Sequence, residues 1–343
     1  MISFESDYNN GAHPNVLRRL IETNQLPSAS YGYDQWSEQA RMLIRKECQA
    51  PDADIFFLSG GTQTNATVID AIIPNYGAVL APQTAHINVH ESGAIEACGH
   101  KVIALPSHEG RLIATELEQY LQRFFADPTW EHMAVPKMVY ITFPTELGTL
   151  YRAQEIDDIY SIAKQYEIPL FIDGARLGYG LASPECDFDL PWLANHCDVF
   201  YIGGTKMGAL CGEAVVFPKG KAPKGFFTMV KRRGALLAKS RLTGLQFEAL
   251  FTDGLYFDIA QHAIDKAMQL RQLFLQAGFT LKDSPTNQQF VILENTQMQQ
   301  LLQHVLFETW EPIDNTHTLC RFVTSWATTD DDLQTLKTAL ASI

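Results

Sequence analysis

Between residues 54 and 217 the chain alternates short apolar runs with helix-period stretches, and this alternation constrains the fold more than any other feature. DIFFLS (54–59), AVLA (78–81), KVIAL (101–105), KMVYITF (137–143), IPLFID (168–173), DVFYIGG (198–204) and EAVVF (213–217) have the length and the β-branched or aromatic content of buried strands. TQTNATVIDAII (62–73) and the stretches 115–126 and 153–166 carry helical spacing between them. Nearly continuous apolar strands joined by helices predict an α/β domain on a mostly parallel sheet. Upstream, Val16, Leu17, Leu20 and Ile21 are expected to share one helical face, and Trp36, Ala40, Leu43 and Ile44 to repeat it. After about residue 250 the pattern changes. A long helix is expected over 254–277, followed by the short strands FTL, FVIL and LCRFVTSW, which together predict a smaller α+β C-terminal domain. This places a large domain at 13–250 and a small one at 251–343.

Composition narrows the partners. The formal net charge is −13, which repels phosphate backbones and anionic lipid surfaces and argues against nucleic-acid or membrane partners. An anionic ligand then needs a local cluster of donors. No apolar run approaches the roughly 18 residues of a membrane span, and the first residues lack the basic-then-apolar pattern of a secretory signal. The six cysteines are scattered without a CxxC pair, which fits reduced thiols and a cytoplasmic location.

Three expected strand ends carry chemistry. In an open α/β sheet, ligands collect at the carboxyl ends of the strands. Gly60, Gly61 and Thr62 stand where a strand turns into a helix, so backbone N–H groups would face an anion there. Asp173 ends the apolar run IPLFID and is followed by Gly174 and Arg176; a carboxylate there needs a cation, a protonated nitrogen or a helix cap. Lys206 follows the strand ending in Ile202 and lies among Gly203, Gly204 and Gly208, which let a flat group approach the backbone. It reads either as a lysine snorkelling to water or as a desolvated amine able to attack a carbonyl. Lys206 follows Asp173 by about one βαβ unit, roughly 30 residues, which brings the two strand ends together. A phosphate turn, a buried acid and a nucleophilic amine have one common user, pyridoxal 5′-phosphate.

The motifs FESDYNNG, YGYDQW, GGTQTN, AHINVHESGA, PTELGT, DGAR, GGTKMG and CRFVTSW, spread nearly end to end, resemble those of the threonine aldolase group among fold-type-I, aspartate-aminotransferase-like enzymes. The resemblance implies that fold, pyridoxal phosphate as cofactor, cleavage of L-threonine or L-allo-threonine to glycine and acetaldehyde, and a homodimer or homotetramer with shared active sites. By the same resemblance residues 1–12 form an arm contributing to the site. Lys206 is similar to the Schiff-base lysine, Asp173 to the partner of the pyridine nitrogen, and Gly61 and Thr62, with Gly60 beside them, to the phosphate turn. His86 matches a histidine stacked on the cofactor ring, and Ser6, Arg176 and Arg321 match groups around the substrate carboxylate. Lys231 in KRRG resembles a basic residue reaching the phosphate from a partner subunit, with Arg232 and Arg233 leaving the register open. His132, in EHMAVPK, falls where some members carry a histidine near the substrate hydroxyl, so His86 and His132 are the two candidate bases.

Departures from the family pattern are FPTELGTLY in place of an E-N-T-x-x-x-G-G stretch and ESDY in place of R-S-D-T, which leave substrate preference open. A β-eliminating lyase and a phenylserine-type aldolase use nearly the same residues, and a phosphate-binding protein without pyridoxal chemistry is the reading from another class. His86, His90 and Glu91 nearly reverse a zincin motif, but without a third ligand no metal is expected and ring stacking by His86 is simpler.

Overall fold

The computed structural model describes residues 1–343. Seven strands form the central sheet in the spatial order Asp54–Leu58, Glu213–Phe217, Val199–Gly203, Leu170–Asp173, Val135–Thr142, Gly77–Pro82 and Lys101–Leu105. Only Glu213–Phe217 runs antiparallel to its neighbours. The α/β expectation therefore holds, and every expected strand is present. The apolar runs are unbroken because both faces are covered. In Leu170–Asp173, Leu170 and Ile172 enter one core while Phe171 enters the other; Phe200 and Ile202 oppose Val199 and Tyr201 in the same way. The helices Ala114–Ala126, Ala153–Gln165 and Arg241–Phe251 pack on the first face, and Gly61–Ile72 on the second.

One expectation about local packing needs correction. In the helix Pro14–Thr23, Val16 is buried, but Leu17 and Ile21 are 40% and 75% exposed, so the four apolar residues do not share one buried face. The helix rests along one edge on Arg241–Phe251, which leaves its second apolar row outside.

The C-terminal part builds an antiparallel four-stranded sheet in the order Thr280–Leu281, Gln288–Glu294, His317–Val323 and Glu308–Pro312. The long helix Leu255–Gln276 and the terminal helix Asp330–Leu340 cover it around a third core that includes Leu270, Phe274, Phe322 and Leu336. Phe4 joins that core, and Ile2–Ser3 pairs in parallel with Val305–Leu306. The first residues are thereby fastened to the C-terminal sheet, and the chain then carries Asp7 and Tyr8 towards the central sheet. No helix is long and apolar enough to cross a membrane.

Register aligns the chemistry. Thr142 pairs with Asp173 and Ile172 with Phe200, while Gly203, Glu213 and Leu58 lie in line across the antiparallel strand. The ends of five strands thus open on one cleft, closed on the far side by Glu308, Trp310 and Arg321 of the C-terminal sheet.

Candidate active site

The cleft has a volume of about 480 Å³ and is walled by Tyr8, Gly60, Gly61, Thr62, His86, Asp173, Arg176, Lys206 and Arg321, among others. All of these but Tyr8 were expected site residues, so eight of them meet at one cavity although they come from segments spread over the whole chain.

Gly60 precedes the helix Gly61–Ile72 without a side-chain cap. The backbone N–H groups of Gly61, Thr62 and Gln63 donate to no acceptor in the protein, and the helix dipole adds to their positive potential. A Cβ placed on Gly60 would meet no protein atom within 4 Å and would project into open space, whereas one on Gly61 would come to 3.3 Å from the Tyr201 hydroxyl. This is a cradle suited to a phosphate.

Asp173 is 2% exposed and fully engaged. Its Oδ1 accepts from the Ala175 N–H at 3.0 Å, and its Oδ2 accepts from Asn65 Nδ2 at 3.0 Å and from the Tyr140 hydroxyl. The cap-like contact to Ala175 is present, but no ion pair with Arg176 forms. Asn65 also donates to Glu91 Oε1 at 2.8 Å, and Glu91 Oε1 meets His86 Nδ1 at 2.8 Å. A continuous chain of polar contacts therefore links the carboxylate at the cleft floor to the imidazole above it. His86 has its backbone N–H bound by Glu146 Oε1 at 2.8 Å, and its ring lies 5.6 Å from that of exposed His90. Within the string His86, His90 and Glu91, the Glu91 carboxylate holds the His86 ring.

Lys206 occupies a single 3-10 turn, Thr205–Met207, directly after the strand Val199–Gly203. The turn ends on Gly208 with φ +87°, a conformation that favours glycine. Lys206 is half-buried at the cleft floor, its ammonium 5.8 Å above the Tyr8 ring. Burial, then Arg176, lower its pKa to about 8, against the opposing pull of Asp7, Asp173 and Glu213. Glu213, pushed up to about 7 by burial, accepts from the Thr205 hydroxyl at 2.8 Å and the Gly204 N–H at 3.0 Å and so braces the turn. This is no snorkelling lysine.

Arg176 does not offer the free fork expected of it. Its Nε and Nη2 reach Asp7 Oδ2 and Oδ1 at 2.7 and 3.0 Å, so Nη1 is the one nitrogen left without a protein acceptor. Arg321 is 7% exposed, donates to Gln288 Oε1 at 2.9 Å, pairs with Glu308, and lies 4.7 Å over the Trp310 ring. Its Nε is buried without a partner, an unmet donor beside the cleft.

Three expected site residues lie elsewhere. His132 is exposed on the turn Trp130–His132, ahead of the strand Val135–Thr142 and therefore at the opposite end of the sheet from the cleft. Its local spacing resembled a site histidine, but parallel topology puts strand starts and strand ends on opposite edges. Ser6 donates its hydroxyl to Asn9 at 2.7 Å and does not line the cleft; Tyr8 does, and Asp7 is buried against Arg176. Lys231 is exposed on the helix Phe226–Arg232, its ammonium 4.5 Å over the Tyr31 ring and away from the cleft of its own chain. Arg233 of the same basic run pairs with Asp70. Residues not singled out in the sequence are Glu146, Glu213, Glu308 and Trp310, all at the cleft. PTELGT and the strand run EAVVF contained Glu146 and Glu213, but neither carboxylate stood out there.

Comparison with known proteins agrees with this fold. Residues 4–303 match the family model described as beta-eliminating lyase. Two curated relatives are each named low specificity L-threonine aldolase. That of a Pseudomonas species is 31% identical over 274 residues, 79% of this chain and 77% of its own; that of Pseudomonas aeruginosa is 30% identical over the same shares. Among solved structures, threonine aldolase of Leishmania major superposes with a TM-score of 0.96 at 39% identity, over 100% of this chain and 99% of its own. Aspartate aminotransferase of Thermus thermophilus, at 12% identity and a TM-score of 0.70 over 99% and 96% of the two chains, shows the shared fold.

Proposed function

Because the chain belongs to the beta-eliminating lyase family, we propose that it is a pyridoxal-phosphate-dependent threonine aldolase that cleaves L-threonine and L-allo-threonine to glycine and acetaldehyde. The observation that carries this reading is the meeting of Lys206, Asp173 and the uncapped helix start at Gly61 in one cleft. The donor set fits the cofactor: free N–H groups for a phosphate, a buried acid for a ring nitrogen, and an amine of lowered pKa. When bound, the cofactor supplies a carbonyl that captures amines and a ring that accepts the electron pair of a breaking bond at Cα.

The chain's own residues do the rest. The N–H groups of Gly61 and Thr62, with Gly60 leaving room, hold the phosphate. Lys206, with a pKa near 8, keeps part of its amine neutral at neutral pH and can act as a nucleophile. Asp173, held by Asn65 and Tyr140, would accept a hydrogen bond from a protonated ring nitrogen. His86, its ring held by Glu91, would offer a flat face to the cofactor. Arg321 and the free nitrogen of Arg176 would grip the substrate carboxylate and so orient the scissile bond. Tyr8, His90 and Trp310 give the cleft an aromatic wall, which favours a phenylserine-type aldolase as a second reading.

Exposed Tyr8, Tyr31 and Tyr33 suit burial by a second copy, and we assign a homodimer or homotetramer in which Lys231 faces the partner's site. Six unpaired cysteines suit a reducing cytoplasm. The test is direct. Purified protein loaded with pyridoxal phosphate is expected to show a long-wavelength absorbance that borohydride removes, and to release acetaldehyde from L-threonine. Absorbance without acetaldehyde, with benzaldehyde from phenylserine, would favour the second reading; no absorbance would sink both.

A further inference from the structure

Five carboxyl side chains line the cleft: Glu91, Glu146, Asp173, Glu213 and Glu308. Four are committed. Asp173 accepts from Asn65, Tyr140 and Ala175. Glu91 takes His86 and Asn65 on Oε1, and its Oε2 is sealed from the cleft without a partner. Glu213 has one donor on each oxygen, and Glu308 is paired with Arg321. Glu146 differs. Both of its donors, the His86 N–H at 2.8 Å and the Thr142 hydroxyl at 2.7 Å, meet Oε1, so no residue donates to Oε2, which is not sealed off.

Its position is rigid. Glu146 follows the strand Val135–Thr142 in a turn closed by the Thr145 N–H to the Thr149 carbonyl at 3.0 Å and the Gly148 N–H to the Thr145 carbonyl at 3.0 Å. Gly148 has φ +73°, and a Cβ there would come to 2.4 Å from Ser284 Oγ. The turn is thus pressed against the C-terminal part and fixes the carboxyl beside His86. Burial and the charge of Asp173 raise the basicity of Glu146, against the opposing effect of the Thr142 and His86 donors. A carboxylate so tuned is a better proton acceptor near neutral pH.

We propose that Glu146 is the catalytic base for the β-hydroxyl group, its Oε2 taking the hydroxyl proton of the bound amino acid directly or across one water. The imidazoles are less suited: Nδ1 of His86 is taken by Glu91 at 2.8 Å, and His90 is exposed between His86 and Trp310. In the step, the O–H bond breaks and the proton passes to Glu146. The oxygen becomes the carbonyl oxygen of the leaving aldehyde as the Cα–Cβ bond breaks. The pair from that bond stays with the glycine carbon, which takes up a proton in its place.

The assignment rests on the aldolase reading, and the test separates the two. Glu146→Gln keeps an oxygen for the His86 and Thr142 donors but cannot accept the proton. Three quantities are measured: L-threonine cleavage, exchange of the glycine α-proton with deuterated solvent by NMR, and the Kd for pyridoxal phosphate by Trp fluorescence. Exchange at glycine needs no hydroxyl base. The expected result is a kcat for cleavage lower by about 10²- to 10⁴-fold, with glycine exchange within about threefold and an unchanged cofactor Kd. Cleavage above a tenth of wild type, or parallel loss of cleavage and exchange, would overturn the assignment. Should Glu146→Gln not fold, Glu146→Asp is read by the same pair: cleavage is expected to fall with exchange preserved, and equal effects on both overturn it. A wild-type protein that neither binds the cofactor nor exchanges glycine contradicts the aldolase reading instead.

Discussion

Arg176 and Asp7, 169 residues apart in the chain, are joined by a bidentate ion pair with Nε–Oδ2 and Nη2–Oδ1 distances of 2.7 and 3.0 Å. The Asp7 side chain is fully buried and that of Arg176 only 12% exposed. Burial alone would raise the Asp7 carboxyl, but Arg176, Lys206 and a 2.9 Å hydrogen bond from Asn287 hold it below the usual carboxylate range. The pair fastens the N-terminal arm to the DGAR turn and aims what remains of Arg176 into the cleft. Asp7→Ala leaves a buried guanidinium unpaired and is expected to cost about 3–5 kcal/mol, as read by urea unfolding. Because the Asp7 pKa is depressed in the folded state, its contribution is present above the unfolded carboxylate value and is lost as pH falls through the folded one. The wild type should therefore lose more stability in acid than Asp7→Ala does.

The amine of Lys206 should titrate near 8 rather than at the ordinary 10.5. The rate at which the empty protein captures pyridoxal phosphate is expected to rise with pH and level off above about 8, as followed by absorbance. A midpoint near 10.5 would contradict this. Glu213→Gln removes a charge that favours the ammonium form and should move the midpoint down. Stability has the corresponding sign: between the two pKa values the unfolded chain holds more protons, so the Lys206 contribution to stability improves as pH rises through that range.

Asn65 bridges two buried carboxylates, Glu91 at 2.8 Å and Asp173 at 3.0 Å. Asn65→Ala is expected to cost about 1–3 kcal/mol per acceptor left without this donor. Calorimetry of the empty protein measures that cost without reference to catalysis. An unchanged Tm would mean that Tyr140 and His86 suffice.

Replacing Arg321 by lysine removes the planar fork while keeping the charge. With hydrogen bonds to charged groups contributing about 1.5–3 kcal/mol, Arg321→Lys should raise KM for L-threonine by roughly 10- to 100-fold, with kcat changed much less. A pure kcat effect would argue that Arg321 does not hold the carboxylate.

His132 provides a control at the far end of the sheet. His132→Ala is expected to leave kcat and KM within about twofold, since an exposed side chain outside the cleft touches neither substrate nor cofactor. A large loss of kcat would restore it as a base.

The strands and the three loaded strand ends were legible because each is a local signal. Apolar runs such as IPLFID and DVFYI are long enough to cross a sheet buried on both faces, and the change from strand to helix at GGTQTN is marked by its glycines. The strand Glu308–Pro312 was not legible. ETWEP is polar, ends on proline and lies at a sheet edge with its side chains mostly exposed, so it lacks the period of a buried strand. Trp310 and Glu308 were missed with it. His132 shows the opposite error, since local spacing resembled a site and topology placed it on the wrong edge.

The α/β sheet, the phosphate-type turn and the nearness of Asp173 to Lys206 follow from the residue pattern alone, because a βαβ repeat converts spacing along the chain into adjacency in space. Which ionisable groups are free is set instead by the folded packing. Asp7 occupying Arg176, Glu308 occupying Arg321, Glu91 holding His86, and Glu146 left with an open oxygen are settled by how the side chains pack in three dimensions. The physical reason is that a carboxyl group's role depends on its partners and its solvation. Both come from packing, and neither is encoded in the spacing of residues along one strand.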